Sequence, residues 1–263
     1  MTRATLPRTL WHERERDIVR VDRSFLLGDP RSMVILGEAG MGKTTLLETF
    51  RDEPGYSICT ARQLINRHNP SSLLGDDHSL VIDALDEVSA QTEGDAVDLV
   101  MRKLGELGYP RFILSCRVAD WRSATAAQGI AEQYGAAPIE LHLDPLSRDD
   151  AATFLATSPG GDMDKAEAAL AGLESRGLAG LWKNPQTLDL ISDLITGDML
   201  PASKGELFER AIAKMWAEHR AEKEGSAFAQ LSEQEVLDAL GAAFAALILT
   251  GKEAMSRNIP VGD

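Results

Sequence analysis

The sequence predicts an α/β fold, a parallel sheet with helices on both faces followed by a small helical domain, and three observations carry that prediction. Over the first 145 residues short apolar runs alternate with helical patterns, the signature of parallel strands joined by crossover helices. Beyond Pro145 the strand signals stop and helix-start signals replace them. Between the first apolar run and the helix after it lies a glycine-rich turn, "GEAGMGKTT". With 263 residues, 44% hydrophobic and 26% charged, the chain belongs to the ordinary globular class and can hold one large or two modest domains.

The lead segment, residues 1–30, interleaves Arg8, Arg14, Arg16, Arg20 and Arg23 with Glu13, Glu15, Asp17 and Asp22, which reads as a mixed solvated surface. An α/β core spans 31–145, with strands expected at 33–36, 56–60, 80–83, 112–115 and 139–143. Ala96, Val97, Val100, Leu104 and Leu107 recur at helical spacing and give one helix an apolar face. A helical domain follows over 146–225. Its N-caps are Ser147 with Asp150, Asn184 before Pro185, and Ser203 with Glu206; Ser232 with Glu235 caps a helix in the last segment, 226–263. Gly197 and Gly251 stand where helix-ending glycines belong, and 222–226 reads as a linker.

Asp and Glu outnumber Lys and Arg 41 to 27, a formal charge of −14 that repels a nucleic-acid backbone and argues against such a partner. Cys59 and Cys116 lie in apolar runs without metal-ligand spacing, as reduced buried thiols would. The N-terminus lacks an apolar signal stretch, and the longest apolar run, 239–249, is too short to span a bilayer. The expected location is the cytoplasm, with no membrane partner.

Gly37, Gly42, Lys43 and Thr44 match G-x-x-x-x-G-K-[ST], in which glycines let backbone N–H groups converge on phosphate oxygens. The expected nucleotide cradle is Gly37, Glu38, Ala39, Gly40, Met41, Gly42, Lys43, Thr44 and Thr45. Lys43 would reach the β and γ phosphates and the Thr44 hydroxyl would ligate Mg²⁺. The helix expected to begin at Lys43 directs its positive end at the same anion. "SLVIDALDE", 40 residues beyond the lysine, ends an apolar run in acids: Asp83 as the second metal-side group, then Asp86 or Glu87 to orient the attacking water. "RFILSCR" places Arg117 just past a strand, either as a γ-phosphate sensor or as a surface arginine paired with Asp120.

Taken together, "VILGEAGMGKTTLLE", "LVIDALDE", "ILSCR", "LHLDPLSRDDAATFL" and "LWKNPQTLDLISDL" resemble the NACHT branch of the STAND signal-transduction ATPases, over roughly residues 30–250. The resemblance implies a P-loop ATPase core binding ATP or ADP with Mg²⁺, a helical domain, and a winged-helix domain whose first helix is similar to "LSEQEVLDALGAAFAALILTG". It implies slow hydrolysis, a nucleotide-controlled change of domain orientation, homo-oligomerisation on activation, and signalling or antiviral defence. Pro185 is the position where relatives place a proline near adenine, although Lys183 stands where many have glycine; a helix-initiating proline behind Asn184 is an equal reading. The preference for ATP over GTP rests on the resemblance and on the lack of a guanine-reading N/T-K-x-D motif. Effector and sensor modules have no counterpart in these residues, so the expectation is a fragment or truncated form of a longer protein. Two other functions share the core: a nucleic-acid-associated initiator or loader ATPase, and a nucleotide-bound scaffold that does not hydrolyse.

Overall fold

A computed structural model of the chain describes residues 6–85, 88, 96–123, 126–158, 160–195 and 200–203, with scattered positions between 205 and 245. Seven strands form one sheet in the order β2-β1-β7-β3-β6-β5-β4. They are β1 (Leu10–Arg14), β2 (Asp17–Val21), β3 (Met33–Leu36), β4 (Tyr56–Thr60), β5 (Ser79–Asp83), β6 (Arg111–Cys116) and β7 (Ile139–Leu143). The five expected strands are all present, β5 and β6 being longer than expected by Ser79 and by Arg111 and Cys116. These five run parallel to one another, β3 lying between β6 and β7.

Period-two alternation explains why the sheet is covered on both faces. Val34 and Leu36 of β3 join Leu80, Ile82, Phe112 and Leu114 in one apolar cluster. That cluster packs under helices α3 (Ala61–Asn66), α5 (Ala96–Glu106) and α7 (Ala126–Tyr134). Met33 and Ile35, the alternate residues, join Val81, Ile113 and Leu141 on the other face. There they meet Leu26 of α1 (Arg23–Gly28) and Leu46 and Leu47 of α2 (Lys43–Glu48). The expected apolar face of α5 is buried at Ala96, Val97, Val100 and Leu104, with Met101 added; Leu107 packs against it beyond the helix end. Two short helices, α4 (Ser71–Leu74) and α6 (Val118–Ser123), complete the layers.

The lead segment is a correction. Its residues are not a plain solvated surface: they form an antiparallel hairpin whose first strand adds to the sheet edge, Leu10 opposite Leu143 and Trp11 opposite His142. Trp11 stacks on His142 at 4.2 Å. Its turn, Glu15 and Arg16, has positive φ at both residues (54° and 77°), the twist that a two-residue hairpin loop requires. Arg8, read as exposed, is only 8% exposed. Arg23 is half-buried, donates to Thr49 Oγ1 and O at 2.8 Å and to Glu53, and lies over the Phe50 ring.

Past β7 a separate apolar core assembles from Leu146, α8 (Arg148–Thr157), α9 (Met163–Ser175), a 3₁₀ turn (Ala179–Lys183) and α10 (Pro185–Ile195). Ser147 and Asp150 form the full capping box that starts α8. The Glu206 and Glu235 backbone N–H groups donate to Ser203 and Ser232 Oγ at 3.1 and 3.3 Å, as capping residues should. Gly197, Gly251, the linker at 222–226 and most of the winged-helix stretch lie outside the described residues. Cys59 and Cys116 are buried free thiols. Among the described residues no helix is long and apolar enough to cross a membrane.

Candidate functional site

The site forms where the loop after β3 meets the carboxyl ends of its neighbours. β3 is buried along its whole length, and the chain then leaves the sheet through Gly37, whose N–H donates to Cys116 O at 3.3 Å. Gly40 and Gly42 take φ of 75° and 87°, conformations that L side chains rarely adopt. Gly42 is the left-handed cap from which α2 starts at Lys43. The Lys43 ammonium donates to the carbonyls of Gly37 at 2.6 Å and Glu38 at 3.2 Å, so it is held over its own loop.

Asp83 ends β5 and is 8% exposed. The Ser115 hydroxyl of neighbouring β6 donates to Asp83 Oδ1, and accepts from the Ala84 N–H at 3.0 Å. One buried hydroxyl thus orients the carboxylate and fixes the turn behind it, where Ala84 has a φ of 60°. Arg117 follows β6 directly. The strand order matters: β6 lies between β3 and β5, so Arg117 stands between the glycine loop and Asp83.

The other wall comes from the helical core. Asn184 Oδ1 accepts from the N–H groups of Gln186 at 2.9 Å and Thr187 at 3.3 Å, capping α10 as expected. The same side chain donates through Nδ2 to Ala39 O at 3.0 Å, and Gln186 N–H donates to Gly40 O at 3.2 Å. The start of α10 is therefore bonded to the glycine loop itself. A Cβ on Gly40 would lie 2.3 Å from Gln186 Oε1 and 2.7 Å from its Cβ, while one on Gly42 would lie 3.7 Å from Pro185 Cγ. Only glycine permits this approach at position 40.

These elements enclose a cavity of about 580 Å³, a size that suits a small molecule. Ala39, Gly40, Met41, Gly42, Lys43, Thr44, Thr45, Asp83, Arg117 and Pro185, all singled out in sequence, line it. Gly37 and Glu38 do not; they contribute the carbonyls that hold Lys43. Asp86 and Glu87 lie outside the described residues. Sequence reasoning missed Leu6, Arg8, Ala84, Leu146, Phe154, Gln186 and Asp189, which also line the cavity. For Gln186 and Ala84 a signal existed, since one follows a capped proline and the other follows Asp83 in the acidic stretch; for the others it did not, because their arrival depends on the packing of distant segments.

Arg8 is the most unusual of these. Its Nη2 donates to Asp144 O at 2.7 Å, while its Nε is buried without a partner among the described residues. Burial holds the guanidinium below its ordinary value, and the charges of Asp150 and Asp144 oppose that shift.

The donor set fits a magnesium nucleotide in two respects: the loop glycines leave backbone open to an anion, and Thr44 and Asp83 face one cavity. Among the described residues no group of three or more His, Cys, Asp or Glu could hold a metal ion. A site of one hydroxyl and one carboxylate suits Mg²⁺, which keeps waters and phosphate oxygens as its other ligands.

No protein-family model matches the sequence, and no curated protein sequence matches it. Solved structures do. AMPPCP-bound DnaA from Aquifex aeolicus aligns at 13% identity over 76% of this chain and 67% of that one, with a TM-score of 0.40. A Walker-type ATPase of Pyrococcus abyssi aligns at 12% over 76% and 71%, TM-score 0.45, and the S. cerevisiae Hsp104–ADP complex at 17% over 87% and 37%, TM-score 0.45. The chain has the α/β fold of P-loop NTPases, as its own strand order and loop geometry establish.

Proposed function

We propose that this chain is the nucleotide-binding part of an ATP-dependent switch of the NACHT/STAND type, hydrolysing ATP slowly. The observation that carries this reading is the bonding of α10 to the phosphate-loop backbone through Asn184 and Gln186. A loop that closes on phosphate must move with, or against, the helical core attached to it. In this reading Lys43 leaves its loop carbonyls for the β and γ phosphates, and Thr44 and Asp83 hold Mg²⁺. Arg117 meets the γ phosphate, and Asp86 or Glu87 positions the attacking water. The magnesium ion supplies charge neutralisation on the phosphates; the chain's own groups supply placement.

Nucleotide shifts the two arrangements of the helical core only by its difference in affinity for them. The ATP-bound arrangement would oligomerise and drive signalling or defence, with the chain acting in the cytoplasm. The test is calorimetric titration with ATP and Mg²⁺, paired with phosphate release measured with and without DNA. Binding with slow turnover that DNA leaves unchanged supports the switch. DNA-stimulated turnover would favour an initiator or loader, and binding without turnover a scaffold. Lys43→Ala should abolish nucleotide-dependent stabilisation; equal ATP binding by that variant refutes the reading.

A further inference from the structure

Arg8 is 8% exposed, yet among the described residues its guanidinium makes one hydrogen bond, to Asp144 O, and its Nε is buried without a partner. A guanidinium carries five N–H donors and cannot shed its charge. Buried donors in folded proteins nearly always find acceptors, so the exceptions point to a missing partner. A purely structural part for Arg8, stapling the lead segment to the end of β7 with the charges of Asp144 and Asp150 beside it, accounts for the charge and for the Nη2 donor. The side chain also lines the cavity, where a ligand could meet a further guanidinium donor, though not the buried Nε.

The strand order says which part of a ligand that would be. On one side of the glycine loop β6 and β5 bring Arg117 and Asp83; on the other, the end of β7 brings Asp144 and with it Arg8. Leu6, Leu146, Phe154 and Pro185 give the cavity its apolar walls, and Leu6 and Leu146 flank that second side in sequence, beside Arg8 and Asp144. A triphosphate lying along the loop with its terminal phosphate toward Asp83 would direct its base toward Arg8. Apolar walls with one cationic donor suit a flat heteroaromatic ring that carries acceptor nitrogens.

We propose that Arg8 reads the base of the bound nucleotide, its guanidinium donating a hydrogen bond to a ring nitrogen of adenine. The inference rests on the nucleotide-binding reading and deepens it. An arginine can only donate, so it favours an edge that presents an acceptor and rejects one that presents only N–H groups.

The test uses the full chain and calorimetry with ATP and three analogues in which N1, N3 or N7 of adenine is replaced by C–H. One analogue should bind roughly tenfold more weakly than ATP, the effect of losing a hydrogen bond to a charged group. Arg8→Met should weaken ATP by a similar factor and bind that analogue no worse than ATP. Should Arg8→Met fail to fold, Arg8→Lys, which keeps the charge and moves the donor, is expected to narrow the same difference. Equal binding of ATP and all three analogues overturns the inference and leaves nucleotide binding standing. Discrimination that survives in the Arg8 variants overturns it as well. If the native chain binds no nucleotide, the nucleotide-binding reading fails and this inference falls with it.

Discussion

Asn184 and Ala39 are 145 residues apart and joined by a 3.0 Å hydrogen bond from a side-chain amide to a loop carbonyl. The same amide caps α10 through its oxygen, so one residue both starts a helix and grips the glycine loop. The two roles can be separated. Asn184→Asp keeps the capping oxygen and loses the donor; Asn184→Ala loses both. Thermal denaturation should show Asn184→Ala destabilised by about 1 kcal/mol and Asn184→Asp by less, while both weaken the extra stabilisation that ATP confers. An Asn184→Asp variant stabilised by ATP as strongly as the native chain would show that the Ala39 contact carries no coupling.

Gly40→Ala tests the close approach from the other side. The new methyl must occupy a left-handed backbone position, costing about 1–2 kcal/mol, and would overlap Gln186. Nucleotide affinity should fall along with stability. Gly28→Ala is the control, since nothing lies within 4 Å of its added Cβ and its φ is not positive. It should leave both quantities unchanged in the same melts and titrations.

Ser115 is completely buried and serves Asp83 and Ala84 at once. Ser115→Ala leaves a buried carboxylate oxygen and a partly buried N–H without their partner, a loss of about 1–3 kcal/mol. If Asp83 faces magnesium, ATP affinity with Mg²⁺ should fall in Ser115→Ala and in Asp83→Asn, while affinity in EDTA changes little. Equal losses in both conditions would place Asp83 away from the metal.

The thiol of Cys59 is pushed up to about 12 by burial. Its folded value lies above its unfolded one, so the folded chain keeps the proton longer than the unfolded chain does. The stability it contributes is complete below the unfolded thiol's range and is lost as pH rises from there toward about 12. Tyr134, also raised by burial, acts in the same direction at higher pH. Denaturant midpoints should therefore fall from about pH 9 upward. At pH 8 a thiol reagent should leave Cys59 unmodified until denaturant is added; rapid labelling of the native chain would contradict its burial.

Much of the fold was legible because its signals are local. β3 reads as a strand from four consecutive apolar residues, and the glycine loop from spacing alone. Ser147 and Asn184 announce their helices by side-chain oxygens placed before them. The hairpin at the edge was not legible. Its strands carry charges, and its turn is built from Glu15 and Arg16 with positive φ, where glycine or asparagine would have signalled it. Arg8 was misread for a related reason: neighbouring charges suggested solvent, while Leu10 pairing with Leu143 carried the arginine inward to Asp144.

By itself the sequence determined the five parallel strands, the capped helix starts and where the glycine loop must turn without a side chain, since periodicity and φ preferences act over a few residues. Tertiary structure alone decided that β6 separates β3 from β5, that Ser115 meets Asp83, and that Asn184 reaches Ala39. Those contacts join residues far apart in the chain, and they are selected by burial of shared apolar surface over the whole sheet, a quantity that no short window of sequence contains.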